Sequence, residues 1–528
     1  MPLPAVLPVT IDAWVADPPP VFDWPAPFSD IVAPMADFYR RYLDDVIAQD
    51  DADLRAVLLL GRRPMQLLAL IQFSLWTEAA RQHGQRMVGH DILDYLAGTG
   101  DRPTVALQVM ALPVVRARFL GLRRLARTAS WTPAWRLARA ALRPDGVALT
   151  HNSLLRNYLR HSSHAVRNAY DEDFALNSGL IDEKFTRRME APALAGHMVN
   201  TLIDELPLSD DIRARLADCM RPVLTESFRD SIDLLGRLRM VRKLPHRLFT
   251  GNGGKRMSRA LGLEIIRRGG DVTRCDHGGS FLLLHNPEFM ALNELAVSTR
   301  FVVTTPLAAQ SADVLAGKER AAPLSSCAIV GSRGDPGLDV GSAAFARTSS
   351  AANRRRAMYV PSIFYGLNQV SPPVLPGSLY LEWQRRLMAL LKDMPVEVLW
   401  KAHPAGHKPP ATLNPARDAR IIAARFEQAV AEADILIYDF PATTTLAVGL
   451  CTDRPIVLID HGTMRFNASL RSEIAARCRT VACTYDDRNL PTVSREALEG
   501  AICGGPPTAD PTYFRRLFLG DERSGSAA

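Results

Sequence analysis

The sequence predicts an α/β protein made of two Rossmann-like domains that face a cleft, with a helical N-terminal elaboration. From about residue 244 the chain alternates short apolar strands, glycine turns and helices, and a second alternation begins at Met358. Such alternation is typical of parallel sheets covered by helices. A stretch rich in serine, glycine, alanine and arginine, residues 320–357, separates the two regions.

Four segments are predicted along the 528 residues, a length too great for one ordinary core. A largely helical region, 1–240, belongs to the first domain, whose Rossmann-like part covers 241–355. The second Rossmann-like domain covers 356–505, and a C-terminal helix and tail cover 506–528.

The N-terminal elements are predicted from proline content and apolar runs. Residues 1–50 are rich in proline and aromatic residues, which predicts an irregular lead-in with one short helix. Residues 56–61 (AVLLLG) predict a buried strand, while the leucine content and length of 64–83 predict a helix. Helices are also expected from 150 to 240, for instance over 209–238.

The two alternating regions predict their elements one by one. In the first, we expect a strand, a turn, a helix and a second strand at 247–250, 251–254, 255–268 and 271–275. In the second, strands are predicted at 358–362, 396–400, 434–438 and 455–460, and helices at 379–392, 421–432 and 443–450. Ligands of open α/β sheets bind at the carboxyl ends of the strands, so the residues that follow each strand are the candidates for function.

Composition excludes several classes of protein. Apolar residues make up 47% and charged residues 23%, which excludes a disordered chain, a fibrous repeat and a polytopic membrane protein. The formal charge of +7 suits anionic ligands or an anionic membrane surface. Seven cysteines without a CxxC pair argue against a disulfide framework and a zinc ribbon, and favour a reducing compartment.

The first twenty residues contain several prolines and lack a basic n-region, which argues against a signal peptide. The longest apolar stretch, 64–77, is shorter than the roughly 20 residues of a spanning helix. We therefore expect a cytoplasmic protein, or one that is peripheral on the cytoplasmic face of the inner membrane.

One basic stretch suggests how the protein would meet that membrane. No acidic residue occurs from Arg102 to Arg143, and eight arginines between Arg116 and Arg143 alternate with leucine, valine and tryptophan. A basic amphipathic helix with nearby tryptophans is suited to anionic lipid. The alternative is a helix whose arginines are solvated or paired with acids elsewhere in the fold.

The second domain carries two motifs about 40 residues apart, each at the end of a predicted strand. One is KAHP, with Lys401 and His403; the other is YDFPATTT, with Thr443, Thr444 and Thr445 at the start of a helix. Unpaired N–H groups of that helix, the hydroxyls, and the Lys401 and His403 side chains would together hold a phosphate or diphosphate. The alternative is that Thr443 only caps the helix and His403 only ends a strand.

The first domain offers a site of proton transfer. Asp276 or His277, at the end of a predicted strand, could accept the proton of an acceptor hydroxyl, and Gly278 and Gly279 would let a ligand approach the backbone. The alternative is a glycine turn with a capping aspartate.

Four further residues are candidates with less specific signals. Asn252 and Gly253 lie in a glycine turn between strand and helix but match no known phosphate loop. Arg356, in a run of three arginines, would meet an anionic substrate if it is not simply solvated, and His461 ends another strand.

Other chemistries lack their motifs. The sequence has no HExxH, no GxSxG and no cysteine–histidine cluster, and no DxD follows a predicted strand. We therefore expect neither a metal nor a cofactor. Nucleic acid is not an expected partner, because the basic stretch interleaves few aromatics and matches no reader motif.

DHGGSF (276–281), KAHP and ADILIYDFPATTT followed by RPIVLID resemble the GT-B glycosyltransferases of bacterial surface-carbohydrate synthesis. The similarity covers roughly residues 244–465 and is greatest to surface-carbohydrate transferases found beside nonulosonic-acid genes. Kdo transferases, bacterial sialyltransferases and CDP-glycerol glycerophosphotransferases are more distant. Where the family has glutamine before its HG motif this chain has Asp276, and it has threonines where serine is common.

The resemblance implies an inverting, metal-independent glycosyltransferase that moves a sugar from a CMP-activated donor to an acceptor hydroxyl. The sugar would be acidic, of the nonulosonic acid or Kdo type, and the acceptor a glycan such as lipopolysaccharide, a lipid-linked molecule or a protein. His403 and Thr443–Thr445 would hold the donor phosphate, with Asp439 at the start of their loop, and Asp276 or His277 would be the general base. The alternatives are transfer of a polyol phosphate from a CDP-activated donor, and a non-catalytic nucleotide-binding protein.

Overall fold

The structure, a computed structural model, describes residues 5–17, 22–60, 63–105, 120–174, 180–341, 354–362, 375–403, 409, 411–462, 465–504 and 510–521. Within these residues the protein is mixed α/β and contains two six-stranded sheets, each with every neighbouring pair of strands parallel. This architecture is consistent with the predicted arrangement of two Rossmann-like domains.

The strands are β1 (Ala5–Pro8), β2 (Gln85–Val88), β3 (Gly146–Thr150), β4 (Val166–Asn168), β5 (Arg247–Thr250), β6 (Asp271–Cys275), β7 (Arg300–Val303), β8 (Ala328–Gly331), β9 (Arg355–Val360), β10 (Val396–Lys401), β11 (Arg420–Ile422), β12 (Ile435–Tyr438), β13 (Ile456–Asp460), β14 (Cys478–Ala482), β15 (Thr484–Tyr485) and β16 (Pro491–Thr492).

The α-helices are α1 (Ile11–Ala16), α2 (Phe28–Val32), α3 (Phe38–Ala48), α4 (Ala52–Leu60), α5 (Arg63–Gln82), α6 (Asp91–Leu96), α7 (Leu120–Trp131), α8 (Ala134–Leu142), α9 (Ser153–His161), α10 (Glu183–Arg188), α11 (Ala191–Ile203), α12 (Asp210–Met240), α13 (Arg256–Arg267), α14 (Ser280–Leu283), α15 (Pro287–Asn293), α16 (Pro306–Ala309), α17 (Ala312–Ala321), α18 (Gly377–Lys392), α19 (Phe426–Ala429), α20 (Thr444–Leu450), α21 (Arg471–Arg477), α22 (Arg495–Cys503) and α23 (Thr512–Leu519).

The first sheet has the strand order β4-β3-β5-β6-β7-β8. The chain places β4 on one side of β3 and all later strands on the other, so the direction of winding reverses between β3 and β5. Such a reversal opens a crevice at the carboxyl ends of the two strands, where ligands of this kind of sheet bind. β3 and β4 lie in the region that the sequence predicts to be largely helical. Neither strand was predicted, because a strand of three to five residues among helices is hard to tell from a buried helix segment.

The second sheet has the order β11-β10-β9-β12-β13-β14, with its reversal between β9 and β12. Its central strands are apolar and buried on both faces, as expected when helices cover a parallel sheet. The predicted strands and helices of this half agree with the structure within about three residues, except at 421–432. That segment was predicted as a helix but contains most of strand β11, the short helix α19 and a 3-10 turn.

The predicted strand at 56–61 is wrong, because Ala52–Leu60 form helix α4. All four residues from Val57 to Leu60 are buried, so the apolar run reflects a helix inside the core rather than a strand. The guanidinium of buried Arg259 donates to the carbonyl of Leu59 (Nε to O, 3.1 Å) and so satisfies the end of the helix.

The lead-in is more ordered than predicted. It contains β1, which pairs in parallel with β2, and the helices α1, α2 and α3. The predicted helices at 64–83 and 209–238 are confirmed as α5 and α12.

Both ends of the described chain cross between the two halves. Near the N-terminus, the carbonyl of Val9 accepts hydrogen bonds from the backbone and the hydroxyl of Ser378 at the start of α18. Near the C-terminus, the carbonyl of Leu517 in α23 accepts from the hydroxyls of Thr304 and Thr305 (2.7 and 2.9 Å), which follow β7. The sheets are therefore tied together from both ends of the chain.

Among the described residues, no helix has the combined length and apolar character that crossing a bilayer requires.

Candidate functional site

The structure brings together two of the predicted motifs, the 276–279 turn after β6 and the threonines that begin α20. Gly278 has a φ of +74°, and a Cβ atom built on it would overlap the side-chain hydroxyl oxygen of Thr444. Only glycine has both the freedom and the size to lie there. The carboxyl edges of the two sheets therefore meet at this point.

The segment that follows the turn is hydrogen-bonded to the second half. The backbone N–H of Asn467 donates to the carbonyl of Leu283 (2.9 Å), and the side-chain amide of Asn467 donates to the carbonyl of Leu282 (2.7 Å). The N–H of His285 donates to the carbonyl of Arg465 (2.8 Å). A Cβ on Gly279 would approach the Phe518 ring of α23 to 2.7 Å. Two segments distant in sequence, 465–467 and α23, thus hold the turn and the residues after it in place.

Asp276 is the buried member of the turn, with 1% of its surface exposed. Its Oδ1 accepts from the N–H of His277 (2.8 Å), whereas Oδ2 has no hydrogen-bond partner among the described residues. Burial raises the pKa of Asp276 to about 7, and the nearby carboxylates of Glu294 and Asp335 add to the rise. A carboxyl that titrates near neutrality is suited to proton transfer.

His277 is the exposed member. Burial raises the pKa of Asp335, while the hydroxyl of Ser153, the N–H of Gly337 and the charge of His277 act against that rise. The His277 ring therefore lies within electrostatic range of a second buried carboxyl. Between the two candidates for the base, His277 is accessible to a ligand and Asp276 lies beneath it.

The pKa of Asp276 predicts a stability that depends on pH. In the unfolded chain this carboxyl ionises near pH 3.8, but in the folded protein it holds its proton to about pH 7. Between these values the folded state binds more protons, so its stability falls as pH rises, by about 4 kcal/mol in all. Asp276→Asn removes this effect and should raise the free energy of unfolding, relative to wild type, more at about pH 8 than at about pH 5.

Urea unfolding at the two pH values checks this, with the exposed Asp487→Asn as the control. The control should keep the same difference from wild type at both pH values. Equal effects of Asp276→Asn at both pH values would contradict the raised pKa.

Asn152 is a residue of the site that sequence reasoning missed. Its side-chain amide donates to the carbonyls of Gly251 (2.8 Å) and Asp276 (2.7 Å), and so joins the loops that follow β3, β5 and β6. Its Oδ1 accepts from the N–H of Leu155 and caps α9. The available signal was a polar pair, His151 and Asn152, after the apolar run GVALT, but that run was not predicted to be a strand.

His151, beside Asn152, lies in basic surroundings. Burial lowers its pKa to about 4, and Arg127, Arg156 and Lys255 add to the effect. The crevice of the first sheet therefore presents positive charge, which suits an anionic group on a ligand.

Asn252 and Gly253 lie at the same crevice, but their contacts are with the protein itself and stabilise the local backbone. The Asn252 side chain accepts from the N–H of Gly254 (2.6 Å), as in an Asx turn. A Cβ on Gly253 would overlap the carboxylate of Glu294, so this glycine makes room for a buried acid rather than for a ligand.

The threonines of α20 differ in role. Thr443 accepts from the N–H of Leu446 (3.2 Å) and from the hydroxyl of Thr445 (3.0 Å), so it caps the helix, as the alternative interpretation held. Thr444 is the exposed one of the three. It is the hydroxyl of this motif that a ligand would meet.

Asp439 is buried, and its carboxylate accepts hydrogen bonds from three side chains. Oδ2 accepts from the hydroxyl of Tyr359 and from Nε1 of Trp383 (3.0 Å), and Oδ1 accepts from the hydroxyl of Tyr380 (3.3 Å). Burial raises the pKa of Asp439 and these donors oppose the rise. The residue joins β9, α18 and β12 at the reversal of the second sheet, and the aromatic partners were not predicted.

Lys401 and His403 end β10, which does not neighbour β12, because β9 lies between them. The two motifs of the second half are thus about 10 Å apart across two strand spacings. Lys401 is buried, its ammonium donates to the carbonyl of Ala402 (2.6 Å), and burial lowers its pKa. His403 is exposed, and residues 404–408 beyond it lie outside the described residues.

The last two candidates have different positions. Arg356 begins β9, at the edge of the sheet opposite the site, and forms an ion pair with Asp434 (2.9 Å). Arg356 therefore lies away from the carboxyl edge where the other candidates are found, and its contact with an anionic substrate stays a prediction. His461 follows β13 at the carboxyl edge of the second sheet, as predicted. Its ring packs edge-on against Trp383 (4.7 Å between centroids), and burial lowers its pKa to about 4.

One acidic motif qualifies the expectation that no DxD follows a strand. Residues Asp171–Asp173 (DED) form a 3-10 turn shortly after β4, a strand that was not predicted. The carboxylate of Asp173 accepts from the N–H of Tyr170 (3.0 Å) and pairs with Arg124. Within the described chain, no group of three or more acidic, histidine or cysteine side chains has the arrangement of a metal site.

No family model matches the chain, and no curated protein is significantly similar to it.

Proposed function

We propose that the protein is a GT-B glycosyltransferase that transfers an acidic sugar, of the nonulosonic acid or Kdo type, from a CMP-activated donor. The acceptor is a hydroxyl in a surface glycan or glycoprotein, and the transfer is inverting and metal-independent. The contact between Gly278 and Thr444 is the observation that supports this most strongly. It places the proton-transfer groups at the end of β6 next to the exposed hydroxyl at the start of α20. Glycosyl transfer needs both a base for the acceptor and donors for the departing phosphate.

We assign the role of general base to His277. Its ring is exposed, whereas the carboxyl of Asp276 is buried beneath it. In the proposed step, the imidazole takes the proton of the acceptor hydroxyl while the acceptor oxygen bonds to the anomeric carbon of the donor. The bond from that carbon to the phosphate oxygen breaks, and CMP leaves with the electron pair. Asp335, within range of His277, stabilises the imidazolium that forms.

The departing phosphate needs donors on the opposite side of the sugar. Thr444 contributes a hydroxyl, and His403, at the same edge of the second sheet, contributes a ring N–H. Donors fixed before the reaction cost no reorganisation when the negative charge develops. The nucleotide would lie across the end of β9, which spans the distance of about 10 Å between the ends of β10 and β12.

A nucleotide panel tests the proposal. We expect CMP to raise the melting temperature more than CDP, UDP, GDP or ADP, and magnesium to add nothing. At about 100 times Kd, binding adds about 2.7 kcal/mol to the stability of the folded state. Thr444→Val should reduce the shift, whereas Thr480→Val, an exposed threonine of β14, should not.

Other outcomes discriminate among the alternatives. A preference for CDP would favour the polyol-phosphate transferase, and a preference for UDP or GDP would contradict the cytidine assignment. CMP binding without transfer of any CMP-activated sugar to any acceptor would favour the non-catalytic binding protein.

A further inference from the structure

Helices α7 and α8 expose apolar side chains on their outward faces. Leu122 is 67% and Leu125 43% exposed, and Trp135 and Leu142 reach 80% and 81%. These are four of the ten large apolar side chains that the described residues expose. On each helix they are spaced three or seven residues apart, so they share one face. We call this surface the α7–α8 face.

The inward faces of the same helices dock with polar side chains. Thr128 accepts from the N–H of Asn168 (3.1 Å), and the Trp131 indole donates to the carbonyl of Val166 (3.1 Å). The guanidinium of buried Arg136 donates to carbonyls that include that of His164 (3.2 Å). These contacts satisfy strand β4 at the edge of the first sheet and the loop before it. The helices thus bury Trp131 and Ala140 and make hydrogen bonds inward, while their exposed leucines and Trp135 face outward, where an ordinary surface helix has polar side chains.

The α7–α8 face is also positively charged. Arg123, Arg127, Arg139 and Arg143 are exposed around it, and no acidic residue occurs in the sequence from 102 to 144. Arg139 pairs with Asp145 (2.7 Å), the first acid beyond the stretch. Residues 106–119, with Arg116 and Arg118 of the predicted basic stretch, lie outside the described residues.

We propose that the α7–α8 face binds the surface of a membrane that contains anionic lipid. Exposed leucine and tryptophan would enter the boundary between headgroups and acyl chains, while the arginines meet the lipid phosphates. Tryptophan is favoured at that depth, because its ring is apolar and its N–H is polar. Asp173 and Asp145 pair with one arginine of each helix, and the positive charge that remains favours lipid over a protein partner, since protein interfaces have few charges at their centres.

Helix α7 connects the α7–α8 face to the crevice of the first sheet. The Trp131 ring of α7 lies 5.7 Å from the ring of His151, which follows β3 at the crevice of the first sheet. Docking would therefore hold this crevice close to the bilayer, where a lipid-linked acceptor would enter. This consequence rests on the proposed function; the docking itself does not.

Vesicle flotation of the full chain tests the docking without any nucleotide. We expect wild type to float with vesicles of phosphatidylcholine and phosphatidylglycerol, less at high salt, and not with phosphatidylcholine alone. Trp135→Glu with Leu142→Glu should abolish flotation. The matched control is Leu315→Glu with Ile421→Glu, which adds the same charge at exposed leucine and isoleucine positions elsewhere and should float like wild type.

A second pair of variants tests the charge. Arg123→Gln with Arg143→Gln should lower the partition coefficient about 25-fold, since each basic residue near an anionic surface contributes about fivefold. Arg187→Gln with Arg488→Gln, exposed elsewhere, should leave it unchanged. Melting curves check that all variants fold.

The proposal is overturned if folded wild type does not float at low salt, or if the face variants and their controls float equally. It is also overturned if wild type is a dimer that does not float and Trp135→Glu with Leu142→Glu converts this dimer to a monomer. The face would then join two copies of the chain. None of these results bears on nucleotide binding, so the failure of this proposal is distinguishable from failure of the proposed function.

Discussion

Replacement of His277 by alanine should lower kcat by about 10²–10⁴-fold while leaving the protein folded and able to bind CMP. The ring is exposed, so its loss creates no cavity and exposes no buried group. The acceptor hydroxyl would lose the group that removes its proton, whereas the donors to the phosphate in the second half stay in place. CMP released from a CMP-activated acidic sugar in the presence of an acceptor measures the effect.

His83→Ala is the matched control, because His83 is exposed on the surface at the end of α5. It should retain wild-type turnover. Asp335→Asn should lower kcat less than His277→Ala, since Asp335 acts on the imidazolium through charge and does not touch the acceptor. If His277→Ala turned over normally and Asp276→Asn did not, the base would be Asp276 and our assignment would be wrong.

Gly278→Ala should cost at least about tenfold in turnover, in addition to a loss of about 1–2 kcal/mol in stability from its φ of +74°. The added methyl group would overlap the hydroxyl oxygen of Thr444, so the two sheet edges must separate for the variant to fold. Separation moves the proton-transfer turn away from the helix start that receives the donor phosphate. Steady-state kinetics and urea unfolding measure the two effects.

Gly269→Ala isolates the backbone effect. Gly269 has a φ of +78°, and a Cβ atom there would have no neighbour within 4 Å. This control should lose similar stability and no activity. In a Thr444→Ala background the overlap is relieved, so Gly278→Ala should reduce turnover by a smaller factor than in wild type, a coupling that a double-mutant cycle reads directly. Equal turnover of Gly278→Ala and Gly269→Ala would contradict the importance of the contact.

The elements of the α/β regions were predictable because their signals are local. Strands β5 and β6 have their predicted bounds, and α20 begins within one residue of its prediction. Their apolar runs are short, and glycine or threonine marks the ends. The errors occurred where a short segment fits both a helix and a strand. At α4, the buried leucines of a helix resemble a buried strand, and at β3 and β4 short strands are surrounded by helices.

The candidate site was predictable in composition and less so in arrangement. Asp276, His277 and Thr444 were found because they follow strands or begin a helix. Asn152 and Asp335 were not, since each acts on a residue at least 58 positions away in the sequence. The position of Arg356 was not predictable either, because a run of arginines in the sequence does not reveal at which edge of the sheet it lies or that one of them pairs with Asp434.

By itself, the sequence determined, to within about three residues, where β5, β6, β9, β10, β12 and β13 begin and end, and which polar residues follow them. It could do so because alternation, turns and helix caps are properties of neighbouring residues. Only the tertiary structure decided that β9 separates the two motifs of the second sheet, that Gly278 meets Thr444, and that Asp276 is buried while His277 is exposed. Strand order and burial arise from contacts between distant segments, and no short stretch of sequence contains them.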